Sequence, residues 1–116
     1  MTIGLVEAWT DDGETSRERP IAPLHLHRSE DEAWYVLEGA LGFRVGDDEM
    51  TVDAGRSVIV SAGTPHSYWN AAGARTRYVI VMGRCTAALV TAIHTMDAFD
   101  PSLLPALFEE HDSELI

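Results

Sequence analysis

Between Ile21 and Met82 the chain alternates short β-rich runs with turn residues. The runs are Ile21–His27, Glu32–Glu38, Leu41–Val45, Glu49–Val52, Ser57–Ser61, His66–Asn70 and Thr76–Met82. Between them stand Arg28–Asp31, Gly39, Gly46-Asp47-Asp48, Asp53-Ala54-Gly55, Ala62–Pro65 and Ala71–Gly73. Glycine there supplies positive φ, aspartate bonds to nearby backbone, and proline removes a ladder donor, so each interruption predicts a turn. Many short strands closed by frequent turns predict an all-β sandwich or barrel. An earlier run, Ile3–Trp9, predicts an edge strand, and the polar stretch Asp11–Arg19 a loop.

The tail changes period. Leu89, Val90 and Ile93 fall at helical spacing within Thr86–Thr95. Asp100-Pro101 then reads as an N-cap followed by proline at the first helical position. Leu103, Leu104, Leu107 and Phe108 form one apolar face behind it. The expectation is one domain in three parts: an edge strand and loop over 1–20, a barrel core over 21–83, and two short helices over 84–116 packed on the barrel.

Charge narrows the partners. The formal net charge is −11, all eight basic residues are arginine, and there is no lysine. A nucleic-acid face needs cations to neutralise phosphates, and an anionic membrane attracts basic segments. Neither partner is expected, and two acidic helices do not make a DNA-reading domain. Without lysine no Schiff-base chemistry is available. The single cysteine, Cys85, permits no internal disulfide and reads as a core or helix-start residue rather than a nucleophile. The N-terminal residues carry no basic region followed by an apolar run, so a cytoplasmic location is expected.

Three of the five histidines fall in the strand-rich region. His25 and His27 are two apart on a predicted strand, so both imidazoles share a face. Glu32 opens the next strand after a short turn, where its carboxylate could come level with the two histidines across a hairpin. His66 opens a later strand after Thr64-Pro65. Alone, the His-x-His pair reads as a hydrogen-bonded or surface pair, the acidic run Glu30-Asp31-Glu32 as a solvated turn, and His66 as a turn cap. Together, three imidazoles and a carboxylate make a mixed nitrogen and oxygen donor set. That set suits one divalent transition metal (iron, nickel, manganese, zinc, cobalt or copper) rather than magnesium or calcium alone.

Two segments carry these residues in a recognisable pattern. His25-x-His27, four residues, Glu32, six residues, Gly39 resembles the first cupin motif. Gly55, with Gly63, His66 and Asn70 at the following motif positions, resembles the second, with fifteen residues between Gly39 and Gly55. Two positions depart from it: Arg19 stands where the first motif usually opens with glycine, and Ser61 where the second has proline. The resemblance covers about Ile21 to Met82. It implies a double-stranded β-helix, two antiparallel sheets rolled into a barrel, with the metal held inside by His25, His27, Glu32 and His66. It also implies a homodimer paired through sheet edges.

Strand parity sorts the neighbours. Trp34, Val36 and Glu38 share the parity of Glu32 and are expected to face the interior, with Tyr35 and Leu37 outward. Tyr68 and Asn70 share the parity of His66, so Tyr68 is a candidate acid–base group or pocket wall, while Trp69 points away. With Phe43 from the next strand, Trp34, Val36 and Tyr68 are expected to wall a mostly apolar cavity above the ligands. His94 and His111 read as surface residues. The expected function is that of a metal-dependent, dioxygenase-like oxidoreductase on a small organic substrate, with Glu32 and Tyr68 as candidate catalytic groups. The alternatives are a non-redox cyclase, isomerase or lyase, and a non-catalytic binding module.

Overall fold

In the computed structural model, residues 3–116 are described; Met1 and Thr2, the start of the segment read as lacking a signal, lie outside them. Eight strands follow one another: β1 (Leu5–Asp11), β2 (Ala22–His27), β3 (Glu32–Glu38), β4 (Ala40–Val45), β5 (Asp48–Asp53), β6 (Ser57–Val60), β7 (His66–Asn70) and β8 (Thr76–Met82). Helix α1 (Arg84–His94), a single 3-10 turn (Pro101–Leu103), helix α2 (Leu104–Glu110) and a short strand β9 (Ser113–Leu115) complete the order. The strands form two antiparallel sheets, β1-β8-β3-β6 and β5-β4-β7-β2-β9. This is the expected double-stranded β-helix with two short C-terminal helices. The early run forms an edge strand, since β1 pairs with β8 alone.

The two sheets bury their inner faces on each other. Trp34, Val36, Leu41, Phe43, Tyr78 and Met82 are all essentially inaccessible to solvent. Trp34 meets Phe43 edge-on at 5.0 Å and Tyr68 at 5.3 Å, while Phe43 stacks on Tyr68 at 5.5 Å. Such aromatic packing adds about 0.5–1.5 kcal/mol per pair to area burial.

Parity holds along β3 as far as Val36 and then fails. Glu38 is exposed, although it shares Glu32's parity. The register with β8 shifts between Val36 and Glu38, and a bulge of this kind swaps the faces beyond it. Gly39 follows with φ +79°, where a Cβ would strike the Thr76 side chain and the Arg75 carbonyl. Only glycine closes this corner without displacing β8.

The two motif departures cost the local turns nothing. Arg19 keeps negative φ and closes a turn with Ser16 through paired backbone hydrogen bonds. Ser61 accepts from Thr64 N at 3.2 Å, so the turn before His66 forms without proline. The motif asparagine, Asn70, is structural: its amide donates to the Asp11 carbonyl, the Asp11 carboxylate and the Ala74 carbonyl, tying β1 to the β7–β8 turn.

The tail differs from a plain pair of helices. Asp100 caps the 3-10 turn by accepting from Ser102 N at 3.0 Å, as the Asp-Pro signal predicts. Beyond α2 the chain turns through Asp112, at φ 58°, and β9 joins the edge of the second sheet beside β2.

Candidate metal centre

The β2 face carries His25 and His27 inward, and the β2–β7 register sets His66 directly opposite His25. Glu32 arrives by a different route from the expected hairpin. Strands β2 and β3 lie in different sheets, so the carboxylate reaches across the barrel rather than along one ladder. The result is still a single cluster. One donor atom from each of the four residues lies within 4.8 Å of all the others, and all four residues are buried. Atoms bound to one ion at about 2.0–2.2 Å cannot be more than ~4.4 Å apart, so this spacing is close to that of a closed site.

Each imidazole is oriented by its other nitrogen. His25 Nδ1–H donates to the Pro23 carbonyl at 2.6 Å, and His66 Nδ1–H to the Thr64 carbonyl at 2.9 Å. Pro23 sits where the β2–β7 register slips, because a proline cannot hold its place in a ladder. His27 Nδ1–H donates to Ser113 Oγ at 2.7 Å, and that hydroxyl donates onward to the His111 carbonyl at 3.1 Å. A carbonyl can only accept, so these partners assign Nδ1 as the protonated nitrogen in His25 and His66. The serine's own donation does the same for His27. All three Nε2 lone pairs then point at the cluster.

That leaves electron-rich atoms facing one another. Glu32 Oε1 lies 3.0 Å from His27 Nε2 and 3.3 Å from His66 Nε2. His27 Nε2 is buried and has no hydrogen-bond partner of good geometry among the described residues. Burial pushes the Glu32 carboxyl up, yet the close approach of His27 and His66 holds it down at about 2. Burial, reinforced by His66 and His27, pushes His25 down to about 4. Near neutral pH the cluster therefore holds an ionised Glu32 and a neutral His25, the states in which these side chains bind a cation. The four residues fit a divalent transition metal.

A family model described as a cupin domain matches residues 17–82, more than half of the chain. The chain belongs to the cupin family. Solved structures agree in fold. A predicted oxalate decarboxylase from Thermotoga maritima is 22% identical with a TM-score of 0.59, over 70% of this chain and 66% of its own. A cupin-superfamily sugar phosphate isomerase from Silicibacter pomeroyi is 25% identical with a TM-score of 0.58, over 72% of this chain and 52% of its own. A cupin-2 domain protein from Shewanella frigidimarina is 22% identical with a TM-score of 0.53, over 66% of each chain. This cupin thus spans about two thirds of the length of the first relative and about half of the second. No curated protein matches the chain.

The cavity of this cupin is not where parity put it. Trp34, Val36 and Phe43 fill the barrel core and do not line it. A cavity of about 220 Å³ opens on the other side of the ligands, beneath the C-terminal helices. His25, His27 and Glu32 form its floor, α1 contributes Leu89 and Ile93, and α2 contributes Phe108, whose ring meets His25 edge-on at 5.6 Å. Tyr68 lines it as expected, with its hydroxyl 3.3 Å from that of Tyr78. Burial pushes the Tyr68 phenol well above its ordinary value, so it stays protonated. His94 is exposed, as expected, but its ring rests on Trp9 at 5.1 Å and lines the cavity too.

Two residues near the centre carried no sequence signal of their role. Ser113 is wholly buried and orients His27 from 86 positions away. Glu30 accepts from Cys85 N at 3.0 Å and from Thr86 N at 2.8 Å, capping α1 where Gly83 offers no side chain. Cys85 is exposed at the helix start, and the Glu30 charge pushes its thiol up, away from the reactive thiolate.

Proposed function

We propose that this cupin is a metal-dependent, dioxygenase-like oxidoreductase that acts on a small organic substrate. One observation carries the reading: three of the four clustered donors also line a mostly apolar cavity beneath the C-terminal helices. His25, His27, Glu32 and His66 would hold the ion, which would supply redox chemistry and open positions for substrate oxygen. The chain supplies the rest. Helices α1 and α2 overhang the ligands with apolar side chains. Tyr68 offers a buried hydroxyl that can donate to a substrate oxygen. Glu32, held at about 2, serves as a ligand and only weakly as a base. Tyr68→Phe is expected to lower turnover with metal content unchanged; equal turnover would remove Tyr68 from the mechanism. The test of the whole reading is elemental analysis of protein purified without chelator, then oxygen uptake against diketones, flavonols and thiols. Iron or nickel with oxygen consumption supports it, and zinc with no oxygen uptake overturns it.

The second reading, a non-redox lyase or isomerase, draws on the relatives named as a predicted oxalate decarboxylase and a sugar phosphate isomerase. It predicts turnover with zinc. A non-catalytic small-molecule or metal-binding module is the third; it predicts ligand or metal binding with no turnover.

We further propose a homodimer. Val6, Val81, Ala33 and Ile59 stand directly opposite one another across β1, β8, β3 and β6, on the outer face of that sheet. Val6 and Ile59 are more than half exposed, and Tyr35 and Leu37 of β3 are exposed too. A continuous apolar row of this kind marks an association surface, and closed two-fold pairing covers it on both copies at once. A monomeric mass by light scattering at micromolar concentration would reject the dimer. For location, no helix among the described residues is long and apolar enough to cross a membrane.

A further inference from the structure

Resting on the reading of the cluster as a metal centre, we propose that the tail from Leu104 to Leu115 is a flap. Its closure over the cavity is coupled to metal occupancy through strand β2. The tail holds the His27 ring by one nitrogen, and the ion would hold it by the other.

The tail is lightly anchored. Between Pro101 and Ile116 only Phe108 and Ser113 are buried. Strand β9 pairs with β2 alone, setting Ser113 opposite His27, Glu114 opposite Leu26 and Leu115 opposite His25. The Asp112 carbonyl accepts from Arg28 N at 2.9 Å, and Ile116 N donates to the Leu24 carbonyl at 3.0 Å. The Arg28 guanidinium donates to Glu109 at 2.6 Å and lies 3.5 Å from the Glu114 carboxylate. Every hydrogen bond from the tail to the barrel among the described residues thus ends within Leu24–Arg28. A segment with few buried contacts opens locally at less cost than the core. Helix α1 is held differently: it buries Thr86 and Leu89, and the Glu30 carboxylate accepts from its first turn. Of the two helices above the ligands, α2 is therefore the movable one.

The anchors touch the ligands themselves. His27 Nδ1–H donates to Ser113 Oγ at 2.7 Å, which is what aims Nε2 at the cluster. When the tail undocks, His27 loses the one Nδ1 partner it has among the described residues, and its ring is free to turn from Glu32. Phe108 likewise closes on the His25 ring, with centroids 5.6 Å apart. Docking of the tail and binding of an ion favour the same placement of the same two rings. Two events that favour one state favour each other, by the same factor in both directions. Leu104 and Phe108 also line the cavity, so a departing tail opens it. The metal-free chain opens its cavity often, and the loaded chain keeps it closed.

The experiment is amide hydrogen exchange, read by mass spectrometry, on the full chain stripped by chelator and then loaded with one equivalent of zinc. In the metal-free protein, peptides covering Leu104–Ile116 should exchange faster than those covering β3 and β4. Zinc should slow the tail about fivefold or more. The reverse direction uses Glu114→Pro, since proline cannot keep a place in the middle of the β9 ladder. Glu114→Gln makes the same change of charge with the ladder intact. In chelator competition Glu114→Pro should bind zinc about fivefold more weakly than Glu114→Gln. Glu114 is half-exposed and no ligand, and Ser113 stays in place in both variants. A metal-free tail that exchanges as slowly as the core, or a tail unchanged by bound zinc, would overturn the flap. Equal zinc affinity in the two variants would overturn the coupling. A parent chain that takes up no zinc would overturn the metal centre and the flap together. Zinc bound at one equivalent beside an unresponsive tail would remove the flap alone.

Discussion

The barrel has two unlike sides that meet at His66. On one side Trp34, Val36, Leu41 and Phe43 pack into one buried cluster between the sheets, and the Trp34 ring reaches the His66 ring at 5.8 Å. On the other, His25, His27 and Glu32 face a cavity that helices α1 and α2 cover. The packed side anchors the strands so that the open side can hold polar atoms in a costly arrangement. A buried carboxylate and three lone pairs are tolerated there because the surrounding backbone and Ser113 leave the rings no other direction to turn.

This contrast can be broken from either side. His27→Ala should abolish stoichiometric metal binding, read by elemental analysis, while far-ultraviolet circular dichroism stays that of the parent. Unfolding of this variant would mean that the open side also carries the fold. Trp34→Ala should do the reverse, costing about 3–5 kcal/mol in urea unfolding, because a wholly buried indole leaves a void among Phe43, His66 and Tyr68.

Acid separates the two sides without mutation. His25 is lowered from 6.5 to about 4, so the folded metal-free protein resists taking up a proton that the unfolded chain accepts. Its contribution is complete above pH 6.5 and is lost as the pH falls toward 4, a change of about 3 kcal/mol at roughly 1.4 kcal/mol per unit. Glu32, also lowered, adds a loss in the same direction between pH 4.5 and about 2. Thermal melts of the apo protein should therefore fall steadily below pH 6.5, and a profile flat from pH 7 to pH 4 would contradict the placement of His25.

The smallest of these effects tests the tail. Ser113→Ala removes the acceptor for His27 Nδ1–H and should weaken zinc binding by about 10–100-fold in a chelator competition. Ser113→Thr should restore it. An unchanged affinity in the alanine variant would make Ser113 a packing residue only.

Much of this was legible beforehand, for definite reasons. The ligands are read from His25, His27, Glu32 and His66 because spacing along a strand fixes which face a side chain takes. Strand ends at β3, β7 and β8 match the expected bounds because their turns are marked by Gly39, Pro65 and Gly73. What parity could not show is where a strand breaks step. Glu38 lies past a bulge that depends on the pairing with β8. The allocation of β2 and β3 to different sheets likewise depends on partners far along the chain. Leu89 and Ile93 announce an apolar face on α1, but nothing local says that the face looks onto metal ligands. Ser113 sits in a three-residue strand, too short for any period to register.

The acidic run Glu30-Asp31-Glu32 has a mechanical consequence. Its composition reads as a solvated turn, yet each carboxylate has its own anchor. Glu30 grips α1, Asp31 accepts from Ala62 N at 2.8 Å, and Glu32 enters the cluster. Residues two apart on extended chain are separated by at most ~7 Å. The height of the α1 roof above the floor is thus set by covalent bonds, as a fixed rod sets the gap between two plates. An inserted or deleted residue anywhere in this run would change the gap itself, whereas replacing Asp31 alone would only loosen the rod at its midpoint.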